Sequence, residues 1–333
     1  MLTRDTVMPL SNDFIAPPDQ AAADIRAELS AGLLQQNAQT SPKYLYDALG
    51  SKLFEAICEL PEYYPTRTEA AIFDVHLSDM ARSVGRGSTL IDLGAGNCAK
   101  AARLFPALRP AQYVAIDISA DFLRNAVEQL RQRFPQVAMM ELGLDFSTTL
   151  ELPERVRREQ RLFFYPGSSI GNFTPVQALE FLRRVRGECQ VHGQTDGGLL
   201  IGVDLVKDKQ ILDAAYDDAL GVTASFNLNL LLHLNRVLGA DFIVRDWQHC
   251  SFFDAEHSRI EMHLRARHAL TVTWPDGERR FAQGESIHTE NSYKYTQQGF
   301  LGLLAKAGFG NPHVWTDPDN WFMVCHAHAG SEQ

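Results

Sequence analysis

A chain of 333 residues can bury one large core or two modest ones, and 45% hydrophobic with 22% charged residues is ordinary for a globular protein. A formal net charge of −10 with scattered Arg and Lys excludes a basic nucleic-acid surface. The five cysteines are widely spaced and never form C-x-x-C, which argues for reduced cytosolic thiols over a disulfide framework or zinc site. No run reaches the roughly 20 apolar residues of a membrane span, and no signal-peptide core opens the chain. The expectation is a cytoplasmic protein without membrane contact.

In chain order, residues 1–19 read as a loose arm, followed by a helix over Ala21–Gln36, a polar break at Asn37–Lys43 and a second helix that stops at Pro61. Two prolines four residues apart make Leu60–Arg67 a poor helix, and the adjacent Tyr63 and Tyr64 could form a ligand wall. From Ser88 onward the pattern alternates between strand and helix. Strands are expected at 89–93, 112–117, 137–142, 161–166 and 198–204, the last a continuous apolar run typical of a buried parallel strand. After the first strand a helix starts at Ala99 and is stopped by Pro106. Helices at Gln210–Ala219 and Thr223–Leu238 then break the rhythm, with Asn227, Asn229 and Asn235 marking a polar face on the second. Strand-like runs at Phe242–Phe253, Arg259–Thr273 and Glu278–His288, with a turn at Trp274–Gly277, suggest an antiparallel insertion. Alternation resumes with a helix at Thr296–Ala307 and strands at 312–316 and Trp321–Ala327. Such a pattern predicts a parallel α/β sheet covered on both faces, with ligands beyond the carboxyl ends of its strands.

Polar residues stand at those ends. Asp92 leads into Gly94-Ala95-Gly96, a turn whose glycines let backbone approach a ligand at a helix N-terminus. Asp117 ends the second strand about twenty residues later, where an acid can hold ribose hydroxyls. Asp145-Phe146 offers an acid and an aromatic face for adenine, and Asp204 ends the fifth strand. The glycine pattern also fits a relaxed dinucleotide fingerprint. An acid directly before it repels a pyrophosphate, however, and favours a cationic nucleoside, S-adenosylmethionine, over a nicotinamide cofactor. His326 and His328 share one strand face but have no third metal ligand nearby, so no metal is expected.

Longer irregular motifs carry a resemblance. Leu60–Arg67, Gly167–Pro175, Asp204–Asp208, Ala215–Asp218 with Gly221–Thr223, Arg259–Arg265 and Glu290–Ser292 make the chain similar to the histidine-specific S-adenosylmethionine-dependent methyltransferases from about Lys43 to Cys325. The resemblance implies a class I methyltransferase fold, a Rossmann-like seven-stranded sheet with its final strand antiparallel. It also implies a methyltransferase domain at 70–206 with 295–333, and an α+β substrate-binding domain at 15–69 with 207–294. Cofactor contacts carry over to Tyr46, Gly94, Gly96, Lys100, Asp117, Asp145 and Phe146. The substrate carboxylate falls to Asn172 and Tyr216, the imidazole to Tyr63, Glu290 and Ser292, and the side-chain pocket to Met262. Tyr46 and Tyr63 are the candidate catalytic residues, their faces and that of Phe54 suited to a quaternary ammonium. Ala95 and Cys98 depart from the small polar residues frequent in the family's glycine loop. The implied reaction is threefold methylation of the α-amine of L-histidine. Another aromatic amino acid such as tryptophan, a histidine ring nitrogen, or a non-catalytic S-adenosylmethionine-binding regulator are the alternatives. A monomer is expected, although nothing in the sequence fixes oligomeric state.

Overall fold

The computed structural model describes residues 18–330 apart from 119 and 192–193, so the expected arm lies outside it up to residue 17. Pro18 already opens helix α1 (Pro18–Leu33), because a first-turn proline has no intrahelical N–H bond to lose. A 3₁₀ turn at Pro42–Leu45 leads to α2 (Ala48–Cys58), capped by the Asp47 carboxylate accepting from the Gly50 N–H. α3 (Tyr64–Val84) begins inside the stretch expected to resist helix, because Pro65 falls in its first turn. α4 (Ala99–Leu108) similarly runs two residues past Pro106, and closes at Arg109 in the left-handed region.

The α/β alternation folds as expected. β1 (Thr89–Leu93), β2 (Gln112–Asp117) and β3 (Ala138–Gly143) lie side by side, with α5 (Ala120–Arg133) between the last two in sequence. β4 (Arg161–Tyr165) joins β1 on its other edge. α6 (Pro175–Glu188), opened by a capping box between Thr174 and Gln177, and a small hairpin of β5 (Gln190–Val191) with β6 (Gln194–Thr195) precede β7 (Gly197–Asp204). These strands run parallel in the order β3-β2-β1-β4-β7.

The insertion follows: α7 (Lys209–Tyr216), α8 (Val222–Leu238), β8 (Trp247–Asp254), β9 (Arg259–Ala266), the hairpin β10 (Leu270–Trp274) with β11 (Gly277–Phe281), and β12 (Ser286–Tyr293). Each long strand-like run is broken. A 3₁₀ turn at Val244–Asp246 precedes β8, residues 267–269 separate β9 from β10, and residues 282–285 separate β11 from β12. The breaks put β12, β9 and β8 in one antiparallel sheet and leave the hairpin as its own two-stranded sheet. After α9 (Gln297–Ala307), which ends at Gly308, β14 (Phe322–His328) inserts antiparallel beside β7, and β13 (Gly310–Thr316) forms the edge. The result is a seven-stranded mixed sheet of the class I methyltransferase kind.

Strand alternation sends Leu90, Tyr113, Phe164 and Leu200 to one face against α3, α4 and α5, and Ile91, Val114, Phe163 and Ile201 to the other against α6 and α9. A third apolar core joins α1, α2, α7 and α8 to the inner face of the insertion's strands. Its members alternate along β9, with Ile260, Met262, Leu264 and Ala266 buried and the residues between them half-buried.

Candidate active site

The carboxyl ends of β1, β2 and β4 open into a cleft of about 1720 Å³. Its floor is the glycine turn. Gly94 and Gly96 adopt φ of 72° and 51°, values that a Cβ disfavours. The N–H groups of Gly94 and Ala95 donate to the Ile116 carbonyl at 2.9 and 3.0 Å, and the Gly96 N–H donates to Asp117 Oδ2 at 3.0 Å. Cys98 is also left-handed (φ 59°) and buried, so the family-atypical thiol faces protein. All seven residues expected at a cofactor, Tyr46, Gly94, Gly96, Lys100, Asp117, Asp145 and Phe146, line this one cleft.

Its acids are in different states. Asp92 is 2% exposed, and burial pushes its carboxyl up to about 7 against a bond from the Tyr113 hydroxyl at 2.8 Å. Burial opposes charge on Asp145 too, but bonds from Ser147 and the Lys43 ammonium at 3.2 Å outweigh it and hold this carboxyl below its usual range. Lys43 also reaches Glu28 on α1 at 2.9 Å, tying the N-terminal helices across the cleft rim. Asp204, expected to stand in line with the other acids, is turned away from this cleft into the chamber beside it.

That chamber brings together the remaining expected residues: Tyr63, Asn172, Tyr216, Met262, Glu290 and Ser292, with Tyr46 shared. Tyr46, Tyr63 and Asn172 line both cavities, so the chamber is continuous with the cleft. Tyr46 ends the 3₁₀ turn, Tyr63 is the N-cap of α3, Asn172 closes a second 3₁₀ turn after β4, and Tyr216 ends α7. Of the tyrosine pair only Tyr63 is a wall. Tyr64 is fully buried and donates to the Asp204 carboxylate at 2.7 and 2.8 Å.

Glu290 reaches the chamber through a β-bulge. The register between β12 and β9 shifts between His288 and Glu290, pairing Glu290 with Met262 and turning both inward. Thr289 at the bulge donates to Asn227 Oδ1 at 2.8 Å and to the Met262 carbonyl at 3.0 Å. This corrects the expected polar face of α8. Asn227 and Asn229 are buried clamps, the latter donating to Asp47 at 2.7 Å, and Asn235 bonds the Phe242 backbone both ways. A buried amide is kept where it is anchored by hydrogen bonds, as at Asn229 through its Nδ2 alone, and periodicity cannot tell that from exposure.

Aromatic rings wall the chamber. Tyr46 meets Phe54 and Phe226 edge-on at 5.4 Å, Phe54 meets Tyr63 at 6.1 Å, and Tyr63 meets Tyr216 at 6.2 Å. Burial drives the Tyr46 and Tyr63 hydroxyls well above their ordinary value, so both are neutral. It also pushes Glu290 up to about 7, against the nearby Lys294 ammonium.

Three polar residues around the site escaped the sequence reading. Glu69, 1% exposed, accepts from Lys100 Nζ at 2.6 Å and from the Gly167 N–H at 2.7 Å, and a Cβ at Gly202 would lie 2.1 Å from its oxygen. Its signal was a carboxylate at a position the helical period of α3 assigns to the core. Lys294 is fully buried, pairs with Asp204 at 2.7 Å, and donates to Tyr216 at 3.0 Å and Ser292 at 2.8 Å. Its signal was the two-residue period through Glu290 and Ser292. Lys207 also donates to Asp204 and to Tyr64 Oη. Among the histidines, His326 is buried, bonded to Ser83 at 2.7 Å, and lowered to about 3 by burial. On the outer face of the insertion sheet Glu261, His263 and His288 cluster, with His263 Nε2 2.8 Å from Glu261 and Arg259 bonded to the same carboxylate.

Residues 25–329 match the family described as histidine-specific methyltransferase, SAM-dependent. The histidine N-alpha-methyltransferase of Mycolicibacterium smegmatis is 40% identical over 306 residues, 90% of this chain and 93% of that protein. Its counterpart of the same name in Mycobacterium tuberculosis is 38% identical over 300 residues, 88% and 91% of the two chains. Ergothioneine biosynthesis protein 1 of Neurospora crassa is 33% identical over 281 residues, 82% of this chain but 31% of that larger protein.

Proposed function

Because this chain belongs to the histidine-specific, S-adenosylmethionine-dependent methyltransferases, we propose that it methylates the α-amino nitrogen of L-histidine three times, forming N,N,N-trimethylhistidine (hercynine) for ergothioneine biosynthesis. One observation carries this reading. Seven residues scattered from 46 to 292 wall a single chamber that opens directly onto the glycine-turn cleft.

The cleft suits the cofactor chemically. Asp117 would hold the ribose hydroxyls, Asp145 the adenine amino group and Phe146 the adenine face. Gly94, Gly96, Lys100 and Tyr46 would surround the amino-acid end. Asp92, an acid lining the cleft directly before the glycine turn, would repel a pyrophosphate and suits a nucleoside without one. S-adenosylmethionine, when bound, supplies an electrophilic methyl carbon on a sulfonium.

The chain's own task is then positioning. Asn172 and Tyr216 offer an amide and a hydroxyl to the substrate carboxylate, and Glu290 with Ser292 reads the imidazole beside Met262. The neutral faces of Tyr46, Tyr63 and Phe54 accept the growing ammonium as methyl groups accumulate. An α-amine with a pKa of about 7.7–8.0 or above sheds its proton before attack, to solvent or through a tyrosine and water. Residues 70–206 with 295–333 would form the cofactor domain, and 15–69 with 207–294 the substrate domain. The separate apolar core uniting α1, α2, α7, α8 and the insertion supports that division, although α3 crosses its boundary unbroken. We take the enzyme to act as a cytosolic monomer. No helix among the described residues is long and apolar enough to cross a membrane.

Mass spectrometry of products from histidine, tryptophan and tyrosine with S-adenosylmethionine tests the reading. Mono-, di- and trimethylated histidine is the expected result. Preferred turnover of tryptophan, or ring-methylated histidine, would overturn the acceptor assignment. No product from any of the three would overturn the catalytic reading itself.

A further inference from the structure

The wall of the substrate chamber includes a lysine whose side chain has no exposed surface. Lys294 is 0% exposed at its side chain, and its backbone is clamped by Ser258, which accepts from its N–H and donates to its carbonyl, both at 2.8 Å. Burying a charge this completely is unfavourable unless every donor is satisfied. All three N–H bonds of the ammonium have partners, namely Asp204 Oδ2 at 2.7 Å, Ser292 Oγ at 2.8 Å and Tyr216 Oη at 3.0 Å. The ammonium also lies 4.8 Å from the centre of the Tyr216 ring. Asp204 is shared with a second buried ammonium, Lys207, so two cations face one carboxylate and the group carries a surplus positive charge.

The hydrogen-bond count has a directional consequence. Ser292 and Tyr216 are 2.8 Å apart, and each oxygen already accepts a hydrogen from Lys294. Between them the two hydroxyls own two hydrogens. One is used in their mutual bond, and one is left for the chamber. The wall they form therefore offers one hydrogen against a positive background, and suits an acceptor, above all an anion.

We propose that Lys294 is the positioning residue that makes this wall selective for a carboxylate: by filling an acceptor site on both Tyr216 and Ser292 it leaves the pair one hydrogen to donate, and it supplies the charge that an amino-acid carboxylate neutralises. The inference rests on the reading of histidine as acceptor. It extends that reading to a residue that need not touch the substrate. Lys207 is the internal contrast. It shares Asp204 but bonds Tyr64 and the Leu205 carbonyl, neither of which walls the chamber.

The test compares kcat/KM for L-histidine and L-histidinamide, whose neutral amide replaces the carboxylate, at one pH in wild type, Lys294→Met and Lys207→Met. The histidine-to-histidinamide ratio is expected to fall at least ~10-fold in Lys294→Met, where a charge-assisted contribution to the carboxylate is lost, and to hold within ~3-fold in Lys207→Met, whose bonds lie away from the chamber. A purely structural lysine would lower both activities together, so an unchanged ratio in Lys294→Met overturns the proposal. An equal fall in Lys207→Met does so too, by reducing the effect to the Asp204 group as a whole. If Lys294→Met fails to fold, Asp204→Asn with Lys294→Met removes both charges and leaves no unpaired carboxylate, and the same ratio decides. Absence of wild-type turnover on histidine is a different failure, that of the acceptor reading.

Discussion

The two halves of the site are built in opposite ways. The cofactor cleft is made of backbone turns and acids at the ends of neighbouring parallel strands, and each of its acids arrives with the strand that delivers it. The substrate chamber is made of side chains from two 3₁₀ turns, α2, the start of α3, the end of α7, α8 and two antiparallel strands, drawn together from residues 46 to 294. The cleft is a geometry that short segments encode. The chamber is built on buried charge, with Asp204, Lys294 and Glu290 all under 10% exposed, and such an arrangement holds only when every partner is in place.

The largest expected effect falls on the chamber. A carboxylate desolvated to accept an imidazole N–H penalises a ring that lacks one, and such sites reject analogues by on the order of 10⁴-fold. Glu290→Ala should therefore lower histidine turnover and ease entry of tryptophan beside Met262, so that the ratio of kcat/KM for the two acceptors collapses. A ratio that stays level while both activities drop would make Glu290 a folding residue. The cleft should respond without any change of selectivity. Asp117→Ala removes two charge-assisted bonds to ribose, each worth roughly 1.5–3 kcal/mol, and is expected to weaken S-adenosylmethionine at least ~100-fold by calorimetry. Unchanged cofactor affinity would show that the end of β2 does not face the ribose.

A pH experiment sharpens the contrast between exposed and buried acids. Glu290 titrates near 7 in the folded chain, against an ordinary value of 4.5. Between those values the folded state keeps a proton that the unfolded state has lost, so this group's contribution to stability falls as pH rises from about 4.5 to 7. Glu290→Gln should match wild type in unfolding free energy from denaturant melts near pH 4 and exceed it at pH 8, by up to ~3.5 kcal/mol at ~1.4 kcal/mol per pH unit. Equal midpoints at both pH values would mean the carboxyl is solvated. The smallest effect concerns the junction of the two halves. Asn172 lines both cavities, and Asn172→Ala should raise the KM for histidine about 10-fold, from one lost hydrogen bond to a charged group, while cofactor affinity holds. Histamine, which lacks the carboxylate, should be a poor acceptor for wild type. Methylation of histamine as efficient as that of histidine would remove the carboxylate anchor from the account.

Much of this protein was determined by local sequence. Strand-helix alternation, the Asp92–Gly96 turn and Asp117 at the end of its strand depend on periods of two and 3.6 residues and on glycine conformation, which a short window contains. The long irregular motifs likewise carried the chamber residues one by one, through resemblance. Only the tertiary structure decided how they cooperate. Two prolines looked like helix breakers until Pro65 fell in a first turn, where its missing N–H is harmless. Three asparagines looked like a polar face until the bulge in β12 and the neighbouring loops supplied their partners, with Asn227 and Asn229 buried and Asn235 half-buried. Glu69 and Lys294 were passed over for the same reason. A charge in an apolar stretch reads as exposed or misplaced unless its counter-charge is known, and Lys100, 31 residues from Glu69, and Asp204, at the end of another sheet, become neighbours only when the chain has folded.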